Sequence, residues 1–119
     1  MLSKKAEMEN DDDIISVLAD KYSRDIIILL TNNELSAQQI SIKLDIPTST
    51  TYRKIKNLEN LKIIKKTKVI RTLEGLDESY YKGLISEINI KFKDGKISYD
   101  LSRIQMNDKI VRLWQKFSE

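Results

Sequence analysis

Two runs of helical apolar spacing flank a gap of only six residues, and that gap constrains the fold more than any other feature of the chain. Ile40 and Leu44 lie i, i+4; Thr51, Ile55 and Leu58 lie i, i+4, i+7. The gap opens on Asp45, Ile46 and Pro47. Aspartate tolerates the left-handed backbone that a tight turn needs. Ile46 is apolar enough to bury, and Pro47 pre-sets φ for the first turn of a following helix. Upstream, Ser36 with Gln39 three residues on reads as a capping box. The spacing therefore predicts a helix from Ser36 to about Leu44 and a second over about 47–61, joined by a turn too short to let them separate. The second helix opens on four hydroxyl residues, Thr48, Ser49, Thr50 and Thr51. Such residues form helices poorly, so something other than helix propensity places them there.

The rest of the chain fills in around this pair. Residues 1–10 are polar and are expected to be flexible. "NDDDIISVLADK" predicts a first helix capped by Asn10 or Asp11, with Asp11, Asp12 and Asp13 at the positive end of its dipole and Ile14, Ile15, Val17 and Leu18 on its apolar side. Ser23 starts "SRDIIILLTNN", apolar nearly all round and expected at the centre of the core. After Leu61 the period changes. "IIKKTKVIRT" predicts a basic strand, "LEGLDE" a turn around Gly75, and "SYYKGLI" a second strand. In "SEINIKFKDGKISYDLS", Ile88, Ile90 and Phe92 alternate with polar residues, Asp94-Gly95 is a hairpin-turn pair, and Ile97, Tyr99 and Leu101 alternate on the return. "RIQMNDKIVRLWQKFSE" returns to helical spacing, with Met106, Ile110, Leu113 and Phe117 on one stripe and Trp114 beside it.

Composition narrows the chemistry. The 119 residues suit one modest core and include no cysteine and no histidine. Disulfides, thiolate ligands, the commonest general base and the commonest transition-metal ligand are absent together. Only carboxylates remain for an oxygen-ligated cation. Tyr80-Tyr81 and Asp11–Asp13 are the only clusters an enzyme could use, and strand packing and helix-end electrostatics account for both, so no catalytic role is expected. The longest apolar run, Ile26–Leu30, is far from the roughly 20 residues that span a bilayer. With no signal-peptide pattern at the start, a soluble cytoplasmic protein with no membrane partner is expected. The net charge of +3 is unevenly spread: residues 1–34 carry four basic against eight acidic side chains, residues 43–71 nine against two. That contrast fits a polyanion-binding face and equally an ordinary solvated lysine-rich surface.

Helix, tight turn, helix and basic two-stranded hairpin is the order of a winged helix-turn-helix. On the second helix Thr51, Ile55 and Leu58 point inward. At about 100° per residue, Ser49, Arg53, Lys56 and Asn60 then point outward, flanked by Thr50, Tyr52 and Asn57. Short hydroxyls on a first turn leave phosphates and base edges room to approach the free N–H groups. Arg53, one turn on, has the reach and fork for guanine or phosphate. The alternative is a capped helix whose hydroxyls merely compete for its own amides.

The segment "LDIPTSTTYRKIKNLENLKII" resembles the recognition segment of ArsR/MarR-like winged-helix transcription regulators, especially the small archaeal type. The motif covers Ser36–Ile64 and the strands extend the match to about Ile85. The resemblance implies that Thr48, Ser49, Thr50, Tyr52, Arg53 and Lys56 meet the major groove and that Ser36 and Gln38 touch backbone phosphate. This chain departs from the pattern twice. It lacks the Cys and His ligands of metal-sensing members, so no metal or cofactor is expected, and any effector is unidentified. Its wing tip, Glu74, Gly75, Leu76, Asp77 and Glu78, is acidic, which leaves Lys65, Lys66, Lys68 and Arg71 on the strand to carry any wing contact. Thr51 stands where an aliphatic residue is commoner, and its hydroxyl is expected to bond back to a helix carbonyl.

The expected fold is α+β, mostly α: a winged helix-turn-helix over 11–85, followed over 86–119 by an added β-hairpin and a C-terminal dimerisation helix. The upstream helices already cover the recognition helix, so Met106, Ile110, Leu113, Trp114 and Phe117 are expected to form an intersubunit seam. The expected function is sequence-specific binding of double-stranded DNA by a homodimeric transcription regulator. The alternative is a winged-helix protein-interaction module of a larger assembly.

Overall fold

The structure, a computed structural model, describes residues 13–104. The capping residues Asn10 and Asp11 and the stripe Met106, Ile110, Leu113, Trp114 and Phe117 lie outside the described residues. A helix α1 over 13–19 leads into α2 (Lys21–Thr31), a two-residue strand β1 (Leu35–Ser36), α3 (Ala37–Leu44) and α4 (Thr48–Asn60). Strands β2 (Ile64–Arg71), β3 (Asp77–Gly83), β4 (Ile85–Lys93) and β5 (Lys96–Arg103) follow. The strands form an antiparallel sheet in the order β1-β3-β2 and a separate hairpin β4-β5. The α+β class holds, but helices and strands take comparable shares of the described residues, so the fold is not mostly α. The short apolar runs after Leu61 all become strand, whereas each helix is only two to four turns long.

Binary spacing explains the core. Ile14 and Val17 of α1, Ile26 and Leu30 of α2, Ile40 of α3 and Ile55 and Leu58 of α4 are buried together with Ile63, Ile64, Tyr81 and Ile85. Helix α2 departs from its sequence reading. It starts two residues before Ser23, capped by Asp20, whose carboxylate accepts from the Ser23 N–H at 2.9 Å and its hydroxyl at 2.7 Å. It is not buried all round either: Ile28 is 67% exposed, while Ser23, Ile26 and Leu30 face inward. Its apolar run "IIILL" exceeds what one stripe can bury.

Strand β1, which two residues of sequence could not announce, pairs Leu35 with Tyr81 and Ser36 with Tyr80 and ties the start of α3 to the sheet. At the far end of β3, the chain passes so close to α2 that a Cβ on Gly83 would lie 3.1 Å from the Leu30 carbonyl oxygen. Both partners are backbone, so neither yields cheaply. Gly83→Ala is expected to destabilise the fold by about 1–3 kcal/mol through overpacking, measured as a lower urea midpoint at unchanged slope.

Strand β5 runs through Arg103, which pairs with Ile85, so the helical spacing read from Arg103 onward does not begin there. Asp94 (φ 55) and Gly95 (φ 73) take the two left-handed positions that a two-residue hairpin turn requires.

Candidate nucleic-acid interface

Helix α3 is fixed at its start by the capping box: the Ser36 hydroxyl accepts from the Gln39 N–H at 3.2 Å, and the Gln39 side-chain oxygen accepts from the Ser36 N–H at 3.0 Å. At its end Asp45 is left-handed (φ 55, ψ 50), and the Ile46 N–H donates to the Ser41 carbonyl at 3.0 Å. The Ser41 hydroxyl donates back to the Ile46 carbonyl and lies 3.4 Å from the Thr48 hydroxyl. Ser41 is small enough for the turn to close over it and polar enough to satisfy the carbonyl that the turn buries.

Pro47 stands just outside α4 as its N-cap residue, one position earlier than its sequence reading, and supplies no side-chain cap. The first α4 hydrogen bond runs from the Thr51 N–H to the Pro47 carbonyl at 2.9 Å, and the Thr51 hydroxyl donates to the same carbonyl at 3.0 Å. That back-bond lets a buried threonine replace an aliphatic residue. The N–H groups of Thr48, Ser49 and Thr50 are left at the positive end of the helix without a capping side chain, and no acidic residue sits in the first turn.

Around this helix end the structure leaves Thr48, Ser49, Tyr52, Arg53 and Lys56 exposed and Thr50 half-buried; Gln38 is exposed on α3. Ser36 is different. It is fully buried and its hydroxyl is spent on the cap, so it offers phosphate no surface. Lys54 turns away from this face: its ammonium lies 3.0 Å from Asp20, joining α4 to the start of α2.

That junction has a pH signature. Asp20 is held down from its ordinary 3.8 to about 2, first by the Ser23 hydroxyl and then by Lys54. A carboxyl lower in the folded than in the unfolded chain contributes stability that is full above about pH 4 and is lost as pH falls toward about 2. Asp20→Ala is expected to cost about 1 kcal/mol near neutrality as a lost N-cap. Denaturant unfolding at neutral pH and near pH 2 should show the gap between wild type and variant closing in acid.

The wing cations do not act together. Lys65 pairs with Lys82 and Lys68 with Tyr80, while Lys66 faces Tyr81 and Arg71 faces Asp77; a bulge at Thr67 separates the two registers. Two of the four are held by acidic neighbours. Lys68 lies 3.1 Å from Glu34 and 5.0 Å from the Tyr80 ring centroid. Arg71 lies 3.5 Å from Asp77 and donates to the Gly75 carbonyl at 3.4 Å. The tip is closed on itself: the Thr72 N–H donates to the Leu76 carbonyl at 2.7 Å, and the Gly75 N–H to the Thr72 carbonyl at 2.9 Å. Leu73 and Leu76 stand exposed on it. Sequence reasoning missed Glu34; its only signal was its place two residues before the cap of α3. The Thr67 hydroxyl and Lys68 hold its carboxyl below the usual range. Glu34→Gln should release Lys68, and if Lys68 then meets phosphate the salt dependence of duplex binding steepens by about one unit of slope.

A four-helix core, a tight turn between α3 and α4, the outward-facing side of α4 and an antiparallel β1-β3-β2 sheet decide the architecture. The fold is a winged helix. Reduced HlyU from Vibrio cholerae N16961 is similar to this winged helix over 68% of this chain and 80% of that chain, with a TM-score of 0.52 and 16% sequence identity. A second structure of HlyU from Vibrio cholerae N16961 aligns over 100% of both chains at 16% identity with a TM-score of 0.44. No family model and no curated protein matches the chain. At such identity the likeness of this winged helix to HlyU is one of fold alone. Among the described residues, no group of His, Cys, Asp or Glu could hold a metal ion, and no helix is long and apolar enough to cross a membrane.

Proposed function

We propose that the chain is a sequence-specific double-stranded DNA-binding transcription regulator that works as a homodimer in the cytoplasm. The observation that carries this reading is α4: an uncapped helix N-terminus with Ser49, Tyr52, Arg53 and Lys56 all exposed, on a helix held to the rest of the fold by its inward residues and by Lys54. In the major groove, Arg53 supplies the bidentate fork for a guanine edge, the hydroxyls and free amides hold phosphate, and Lys56 adds charge. Gln38 on α3 and Lys66 on β2, both exposed, supply further contacts to the phosphate backbone. The stripe Met106, Ile110, Leu113, Trp114 and Phe117 supplies the dimer seam, so the operator carries two half-sites related by the two-fold axis. Selection from a random duplex library tests this: a two-fold symmetric site should be enriched, with half-site centres about one helical turn apart. Recovery of unenriched sequence would overturn it.

A protein-interaction module is the second reading. What favours it is the wing, where exposed Leu73 and Leu76 stand beside Glu74 and Asp77 and the tip cation Arg71 is paired within the wing. On that reading, duplex binding is weak and indifferent to sequence.

A further inference from the structure

Helix α4 ends in an unusual way. The Ile63 N–H donates to the Leu58 carbonyl at 3.0 Å and the Lys62 N–H to the Glu59 carbonyl at 3.0 Å, the paired bonds of a helix end that closes on a left-handed residue. That residue is Lys62 (φ 61), at a position where glycine is usual because a Cβ is disfavoured there. The Lys62 carbonyl accepts from the Arg103 guanidinium, which ties the end of β5 to the end of α4. Beside this junction opens a cleft of about 630 Å³ whose charged lining is Lys62, Lys65, Lys66 and Arg103 against Glu59 alone. Ile64 and Leu84 give it an apolar floor. Among the described residues, none of these four cations lies within salt-bridge distance of a carboxylate, whereas Lys21, Lys54, Lys68 and Arg71 are all paired. A cation at a helix C-terminus offsets the dipole, but Arg103 alone supplies that and three lysines remain. Lys62 and Arg103 also line an adjoining, more enclosed cavity of about 240 Å³, where Ile14, Leu61, Tyr99 and Leu101 make the wall apolar.

We propose that this junction is a binding site for a small organic phosphate. Lys62, Lys65 and Arg103 hold its phosphoryl group in the cleft, and its apolar body enters the cavity lined by Leu61, Tyr99 and Leu101. Four cations against one carboxylate suit a dianion rather than a singly charged carboxylate, and a guanidinium beside rotatable ammonium groups matches phosphate oxygens. An apolar chamber next to a few convergent charges is the usual make-up of a small-molecule site. The left-handed lysine then has a reason: the backbone cost is kept because the ammonium is needed there. The site lies at the end of α4 opposite its uncapped N-terminus, about 20 Å along the helix axis, so it does not rest on the DNA-binding reading.

Titration calorimetry of the protein with phenyl phosphate, inorganic phosphate and benzoate tests the site. Phenyl phosphate should bind saturably and about tenfold or more tighter than either of the others, since each of those lacks one half of the recognition. Lys62→Gly should melt at or above wild type, because glycine suits the left-handed position, and should weaken phenyl phosphate binding about tenfold. Lys65→Gln, which leaves the helix end untouched, should show a loss of the same order. The proposal is overturned if phenyl phosphate does not bind, if inorganic phosphate or benzoate binds as tightly, or if both variants bind it like wild type. It is equally overturned if Lys62→Gly lowers affinity for a scrambled duplex as much as for phenyl phosphate, since the cleft would then hold duplex backbone instead.

Discussion

Arg53→Ala is expected to weaken binding to the selected duplex by about 1–3 kcal/mol and to relax base preference at one position of each half-site. Arg53 is exposed one turn into α4, on the side opposite Thr51, Ile55 and Leu58, and makes no hydrogen bond within the described residues that would tie it to the fold. The variant should therefore melt with wild type. Lys66→Ala, at the exposed edge of β2, should instead weaken all duplexes alike and flatten the salt slope by about one unit. The two outcomes separate base reading from backbone attraction. Titration of both variants on selected and scrambled duplexes distinguishes them, with a melting curve to show that the fold is intact. An unchanged affinity and an unchanged preference in folded Arg53→Ala would remove α4 from the site.

The second large effect concerns the residue that seats α4. Leu58 is fully buried in the core cluster that also holds Ile26, Leu30 and Ile63. Leu58→Ala removes that apolar volume and leaves a cavity between helices that cannot all close on it, which costs about 2–5 kcal/mol. For a 119-residue chain of ordinary stability this is a large share of the total. Urea unfolding should show a lower midpoint. Duplex affinity measured well below that midpoint should change little, because Leu58 acts on the recognition surface only through the position of the helix. Ile55→Val, which loses a single methylene at a site 2% exposed, should cost about 0.5–1.5 kcal/mol and serves as the graded control.

Much of the architecture is legible in local chemistry. The capping box at Ser36, the left-handed Asp45, the back-bonded Thr51 and the Asp94-Gly95 turn each depend on a few neighbouring residues, and each is found where its signal stands. What was not legible depends on distant partners. Nothing near Leu35 says that it will pair with Tyr81 across the chain. The extent to which α2 buries depends on how many neighbours surround it, so Ile28 reads as core and lies in solvent. The candidate interface divides the same way. Helical periodicity placed Arg53 and Lys56 on the outward side of α4. It could not show that Glu34 and Asp77 hold two of the four wing cations, because ion pairs between β2 and other segments follow from register alone. Ser36 illustrates the converse: one hydroxyl cannot both cap a helix from a buried position and reach phosphate, and the cap takes it.

That α4 is a DNA-reading surface is tested most directly by the affinity of the protein for its selected duplex and for a scrambled duplex across a range of salt. Lys56 and Lys66 from each of two copies should neutralise several phosphates, so log affinity for both duplexes should fall linearly with log salt at a slope of about −3 or steeper. The selected duplex should remain tighter by about a thousandfold or more at physiological salt. A flat salt dependence, or equal affinity for the two duplexes at every salt concentration, would contradict the claim and leave the acidic, leucine-bearing wing as the working surface of the molecule.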